Sequence, residues 1–324
     1  MATYSPKQYE LFLAIESGNM GTAETTDANF VKLEVENVSD IDFSNIIQER
    51  TPRSGQQILR PTDRHHSQKG SFYTVGFEWV VNHKEGLQKL LQLVSEDAGA
   101  ETPPAFSVVG TFTPAVYNHG AATGKRATVI ISNPNTGDDR QLTSAVLTEL
   151  SLSMDSGTAG GRLVASGTFY CGYLPTIASN SVAPAGDQTS WTYGLYDCTT
   201  KTVGGSAVVL KSLNLNIGFP ANRIGYQGTS AEVQEYARSD EYTASGEVVA
   251  KYDSSTSGAI AHFFSGAEKV ISIGDGGTNI DFSLPQVVYT GFSKDMNASE
   301  GVFVSIPFDC GAIGAESLYT ITIG

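Results

Sequence analysis

Residues 70–94 read GSFYTVGFEWVVNHKEGLQKLLQLV, and the two halves of this stretch obey different periods. From Gly70 to Val81 the residues are aromatic and β-branched, the composition of a strand. From Lys84 to Val94 the apolar positions Leu87, Leu90, Leu91 and Val94 recur at helical spacing, which predicts a helix with one apolar face in spite of Gly86 in its first turn. A strand running directly into a helix, with polar Asn82 and His83 between them, is the unit from which the rest of the chain is read.

Working outward, strands dominate. Val31, Leu33 and Val35 alternate with Lys32, Glu34 and Glu36, the period of a half-buried strand. Further strands are predicted at 106–117, 126–132, 146–154, 163–170, 208–217, 246–252, 280–292, 302–308 and 318–323, with a second short helix near 258–264. Leu150, Leu152 and Met154 alternate with Ser151 and Ser153, so that strand has one wet face. Asn133 to Asp138 has turn chemistry. Two connections are long, Ser44 to Lys69 and Pro220 to Ser245; a long stretch without structure of its own inside a compact domain is usually functional or ordered by a partner. The first 29 residues read as an N-terminal arm around the apolar cluster Tyr9 to Ile15.

The 324 residues include 20 Lys and Arg against 34 Asp and Glu, for a formal charge of −14. That balance counts against a protein that grips nucleic-acid phosphates or an anionic membrane surface, because both need clustered cations. No apolar run approaches the roughly 18 to 20 residues of a membrane span, and no secretory signal pattern is expected at Met1 to Leu13. Cys171, Cys198 and Cys310 are an odd number without close spacing, which predicts free thiols in a reducing compartment rather than a disulfide framework or a metal site.

The order strand, long arginine-bearing loop, strand, helix occurs twice. Leu33 and Gly70 bracket the first occurrence and Leu210 and Gly246 the second, at nearly equal separation. Near the end of each half stand Phe169-Tyr170-Cys171-Gly172 and Phe308-Asp309-Cys310-Gly311, each after a strand that starts past a glycine, Gly161 and Gly301. The first half is the longer, and a hairpin near 105–139 is the expected insertion. The organisation predicted is an arm at 1–29, a first β unit at 30–175, a connection at 176–205 and a second β unit at 206–324. Two similar units in one chain form a pseudo-symmetric building block in which equivalent surfaces can meet.

Chemistry-bearing motifs are few. His65 and His66 are adjacent, which suits a loop better than a shared metal. His83 reads as a polar residue at a helix start and His262 as a packed or interface residue. Gly274-Asp275-Gly276-Gly277 lacks the lysine of a phosphate loop and reads as a hairpin turn. There is no G-x-S-x-G elbow, and no histidine adjoins a cysteine. No enzymatic activity, cofactor or metal is expected. Paired carboxylates of a glycoside hydrolase are a three-dimensional feature, so a carbohydrate-binding or hydrolytic β-sandwich stays an alternative.

Glu16-Ser17-Gly18-Asn19-Met20-Gly21-Thr22-Ala23, followed by a strand, resembles the opening E-T-x-x-G-T-A of the tail tube (major tail) proteins of tailed bacteriophages, in the branch with a long subunit. The segment from Arg60 through the Gly70 strand into Leu87–Leu91 is similar to that family's strand running into an L-x-x-L-L helix. Leu213-x-Leu215-x-Ile217, the loop with Arg223 and Ser245-Gly246-x-Val248 resemble its C-terminal counterpart; residues 176–205 match no part of the pattern.

The resemblance implies a mainly β chain of two β-sandwich units, each flanked by a helix. It implies rings of three or six subunits whose sheets join into an inner barrel, stacked into a tube in the virion tail and assembled in the host cytoplasm. Other tail proteins would meet the tube ends, and DNA would pass through the lumen without specific binding. Closing sheets between subunits removes their unpaired edges, and a bore without cations would let DNA slide. Inter-subunit contacts are expected from Arg50, Arg53, Arg60 and Arg64 in the first long loop and from Arg223 and Arg238 in the second. Another virion β-sandwich, a capsid decoration or baseplate protein, is the nearer alternative.

Overall fold

The computed structural model describes residues 9–41, 47–49, 64–66, 72–95, 110–112, 125–133, 139–178, 182–183, 190–226, 232–237, 242–296, 301–311 and 318–324; for 47–49, 64–66, 110–112 and 226 it describes the backbone alone. The chain is mainly β. In order, the first half holds β1 (Glu10–Ile15), β2 (Val31–Leu33), β3 (Asn37–Val38), β4 (Ile47–Glu49), β5 (Arg64–His66), β6 (Tyr73–Val80), α1 (Lys84–Ser95), β7 (Gly110–Phe112), β8 (Ala127–Ser132), β9 (Arg140–Asp155), β10 (Leu163–Cys171) and β11 (Thr176–Ile177). The second half holds β12 (Thr200–Val203), β13 (Ser206–Ala207), β14 (Leu210–Gly218), β15 (Asn222–Tyr226), β16 (Val233–Ala237), β17 (Thr243–Lys251), α2 (Ala259–Ser265), β18 (Lys269–Gly274), β19 (Ile280–Tyr289), β20 (Ser293–Asp295), β21 (Phe303–Cys310) and β22 (Thr320–Ile323).

Four strands of the first half pair in the order β3–β6–β10–β9. Strands of the second pair in the order β14–β17–β21, with β21 completed by the end of β19 and by β20. The two sets meet edge to edge: β9 pairs antiparallel with β14 from Asp155 opposite Ser212 to Glu149 opposite Gly218. A second layer lies behind each set, β2–β1–β8–β9–β11 in the first half and β13–β12–β18–β19–β22 in the second. The layers connect because β9 and β19 each run through both. Residues up to Ala145 of β9 pair with β8, and residues from Val146 onward pair with β10.

Alternation decides which face each strand buries. In β6, Tyr73, Val75, Phe77 and Trp79 are buried while Thr74, Gly76 and Glu78 face outward. In α1 the apolar stripe Leu87, Leu90, Leu91 and Val94 is wholly buried; at about 1.5–3 kcal/mol for each such side chain, that stripe contributes on the order of 10 kcal/mol as an upper bound. Gly86 is where the helix comes closest to its neighbours. A Cβ there would stand 2.5 Å from His83 Cε1, 2.6 Å from Leu33 Cδ2 and 2.7 Å from Trp79 Cη2, so this glycine serves close packing rather than marking a weak helix.

Several expectations change on contact with the fold. Both long connections contain strands: β4 pairs with β5, and β15 with β16. Neither run alternates strongly enough to stand out, because a two-stranded ribbon need not bury a full face. β1 lies within the stretch read as an arm, and there it is the strand between β2 and β8 with Leu11 and Leu13 fully buried.

The 176–205 stretch holds β11 and β12 and is stitched to both halves. Trp191 N–H donates to Asn82 O at 2.7 Å while its indole N–H donates to Asn279 Oδ1 at 2.9 Å. β7, inside the expected insertion, pairs with β22 of the other half. One buried apolar cluster runs from Leu11 to Ile323.

Gly70, matched with Gly246 in the sequence, lies outside the described residues. Gly246 lies opposite Phe308, whereas Val75 lies opposite Phe169. Equating the two Phe-x-Cys-Gly landmarks therefore sets Gly246 against Val75. Ladder hydrogen bonds set the register, and loop length does not.

Candidate assembly surface

The outward face of the paired sets is polar and poor in cations. It presents Asn37 and Ser39, Gly76 and Glu78, Ser166 and Thr168, Glu149, Ser151 and Ser153, Asn214 and Asn216, and Thr243, Ser245 and Glu247, none of them buried. A depression of about 680 Å³ on this face is lined by Ser39, Glu78, Glu149, Ser166, Thr168 and Asn216 among others. Neighbouring strands lock their polar side chains together: Ser151 donates to Asn214 Oδ1 at 3.1 Å, and the Ser305 hydroxyl donates to Glu247. The lysines of these strands are Lys211, Lys251 and Lys294, with Lys211 4.6 Å above the Phe303 ring and Lys294 3.7 Å above the Tyr252 ring. Such a surface offers phosphates carboxylates and hydroxyls but no row of cations, so it does not hold a duplex electrostatically.

The composite sheet ends on two edges. β3 pairs with β6 on one side and, among the described strands, with none on the other. β20 likewise pairs only with β21. Both are short, a usual way of blunting an edge.

The N-terminal phrase beginning at Glu16 folds around a buried carboxylate. Glu16 Oε1 accepts from Ser144 N at 2.6 Å and from Thr128 Oγ1 at 2.8 Å, and Oε2 accepts from Ser144 Oγ at 2.7 Å. Arg126 Nε lies 3.9 Å from Oε2, while its Nη2 donates to Gly18 O at 3.2 Å. Gly21 N donates to Ser144 Oγ at 2.8 Å. Gly21 has φ +82°, and a Cβ there would meet the Tyr173 ring at 2.9 Å, so both conformation and space require glycine. The phrase is thus a staple that ties the chain start to the corner of β9. Both oxygens of the Glu16 carboxylate are satisfied within the chain, and the phrase's signal in sequence is the glycine spacing.

The six arginines expected to join subunits divide sharply. Arg223, on β15, is half-buried with its guanidinium carbon 6.0 Å from the Phe72 ring centroid. That ring stacks on Tyr236 at 6.2 Å. Tyr236 OH in turn accepts from Gly172 N at 2.7 Å, so Arg223 is part of the packing that seats the β15–β16 ribbon on its own chain. Arg64 stands on β5 opposite Glu49. Arg50, Arg53, Arg60 and Arg238 lie outside the described residues.

Among titratable groups, His83 caps α1. Its Nδ1 accepts from Gly86 N at 2.9 Å, and its Nε2, 2.9 Å from Lys32 O, carries the proton. Burial pushes its pKa down to about 4, against the opposing pull of Lys32 O. Burial pushes the Cys171 and Cys310 thiols up to about 12. Burial raises Cys198 too, beside the Tyr193 hydroxyl at 3.2 Å. These thiols stay protonated near neutral pH and are poor nucleophiles. His65 and His66 are consecutive on β5. Among the described residues no three His, Cys, Asp or Glu side chains cluster as a metal site, and no helix is long and apolar enough to cross a membrane.

Comparison of the sequence with protein-family models and with curated proteins found no match.

Proposed function

We propose that this chain is a structural subunit that assembles with copies of itself into stacked rings, forming a hollow tube of the bacteriophage tail through which DNA passes during ejection. One observation carries the reading. Two strand sets of like order, β3–β6–β10–β9 and β14–β17–β21 with β19–β20, are joined edge to edge within one chain, and the composite sheet ends on an edge at each side. A sheet already extended this way is continued by adding a further copy, and closure into a ring removes the last edges.

The face rich in hydroxyls and carboxylates then lines the bore. Duplex DNA carries about one negative charge per 1.7 Å, so a lining with Glu78, Glu149 and Glu247 repels the backbone weakly and uniformly and lets it slide. With two units per chain, three chains close a pseudo-sixfold ring; with a single effective unit per chain, the ring takes six. Partners other than the chain itself would be the tail proteins that terminate the tube.

Negative-stain microscopy of the purified protein across a concentration series, with sedimentation velocity in parallel, tests the reading. Rings and stacked tubes with a central channel are expected. A compact monomer at every concentration would exclude it.

A further inference from the structure

We infer that copies of this chain join by repeating the β9–β14 seam, residues 38–41 of one copy pairing antiparallel with residues 293–296 of the next and the exposed face of α2 closing over the joint. The inference rests on the self-assembly reading and gives that reading a register and a second contact surface.

The register follows from the ladders. Equating Cys171 with Cys310 makes Val164 equivalent to Phe303, and their partners Ser153 and Asp295 equivalent to each other. The same step makes Thr168 equivalent to Pro307, and Gly76 equivalent to Glu247. One strand further out, Ser39, whose N–H donates to Gly76 O, becomes equivalent to Asn214, which lies opposite Glu247. Inside the chain Asn214 faces Ser153, so between copies Ser39 faces Asp295. Stepping along the strands, Val38 then faces Met296 where the internal seam has Leu213 facing Met154, and Asp40 faces Lys294 where it has Leu215 facing Leu152.

Both halves of this joint are exposed, although one Asp40 oxygen accepts from Arg140 of the same chain and Lys294 lies 3.7 Å over the Tyr252 ring. Met296 is 73% exposed and the Asp40 side chain 65% exposed. Opposite charges placed directly across a ladder favour that register over its neighbours.

The helices show what covers such a joint. α1 reaches across the internal seam to the second half: Ser95 Oγ lies 2.8 Å from Tyr319 OH, Tyr242 OH donates to Val94 O, and Lys84 Nζ donates to Gly324 O. Every α1 residue from Glu85 onward is buried. α2 follows β17 as α1 follows β6, yet only Ala259 of it is buried, and Phe264 is 79% exposed beside a partly exposed Ile260. Its missing neighbour is the first half of the next copy. There Leu174 and Ile177 are exposed, and Ile177 holds on β11 the place that buried Ile321 holds on β22.

Cysteine cross-linking reads the register directly. In a Cys310→Ser background, Val38→Cys with Met296→Cys is compared with the register-shifted pair Val38→Cys with Lys294→Cys, and with each single variant, after mild oxidation and non-reducing electrophoresis. The matched pair is expected to give covalent multimers of whole chains at least tenfold more efficiently than the shifted pair. Equal yields, or no matched product while micrographs show rings, overturn the register and leave self-assembly standing. Absence of both product and rings from a folded monomer overturns self-assembly as well. Phe264→Ser is expected to raise the concentration needed for assembly at least tenfold with the monomer's thermal transition unchanged. Unaltered assembly would remove α2 from the joint.

Discussion

Glu16 holds Ser144 from two directions, one carboxylate oxygen accepting its backbone N–H at 2.6 Å and the other its hydroxyl at 2.7 Å. Ser144 has φ +53°, an unusual conformation for a residue other than glycine. It sits where β9 leaves the β8 ladder and enters the β10 ladder. A strand can turn such a corner only if the backbone groups released from the ladder find other partners, and here a carboxylate contributed by the chain start supplies them.

Glu16→Ala removes the acceptor for Ser144 N–H, Ser144 Oγ and Thr128 Oγ1 and leaves Arg126 without its nearest carboxylate. The expected loss is about 3–5 kcal/mol in urea unfolding, the scale for breaking a buried charged pair. Glu16→Gln keeps one acceptor oxygen and is expected to lose less. A loss under about 1 kcal/mol in the alanine variant would show that the corner holds without the staple.

Gly86→Ala places a methyl group against His83, Leu33 and Trp79 at contacts below 3 Å. Although alanine is the better helix former, overpacking dominates, and a net destabilisation of about 1–3 kcal/mol is expected from chemical denaturation. A stabilised variant would mean that the first turn of α1 shifts freely.

The His83 pKa of about 4 lies below its unfolded value near 6.5. The unfolded chain therefore binds the extra proton first as pH falls. The contribution of neutral His83 is fully present above about pH 6.5 and is lost progressively down to about pH 4, for a total on the order of 3 kcal/mol. Urea midpoints of the parent should fall faster than those of His83→Asn through this window. Parallel pH profiles would contradict the buried neutral cap.

Placing cations on the outward face should change how DNA interacts with assembled tubes. Ser166→Lys with Ser245→Lys, two outward-facing positions that do not oppose each other, is expected to leave ring formation intact and to confer duplex retention that weakens steeply with salt. Rings that retain DNA no better than the parent would indicate that this face does not line a channel.

Period and composition determined the strand-rich class, the strand at 73–80 with its buried Tyr73, Val75, Phe77 and Trp79, and the α1 stripe of leucines, because burial on one face leaves a local signature that needs no partner to be read. The recurrence of Phe-x-Cys-Gly at the ends of β10 and β21 was equally visible. Tertiary structure alone decided that the chain start is a central strand, that 176–205 ties the halves together, and that Arg223 packs on Phe72. Those outcomes depend on ladder register and on contacts between residues far apart in the chain, and neither has a period along the sequence.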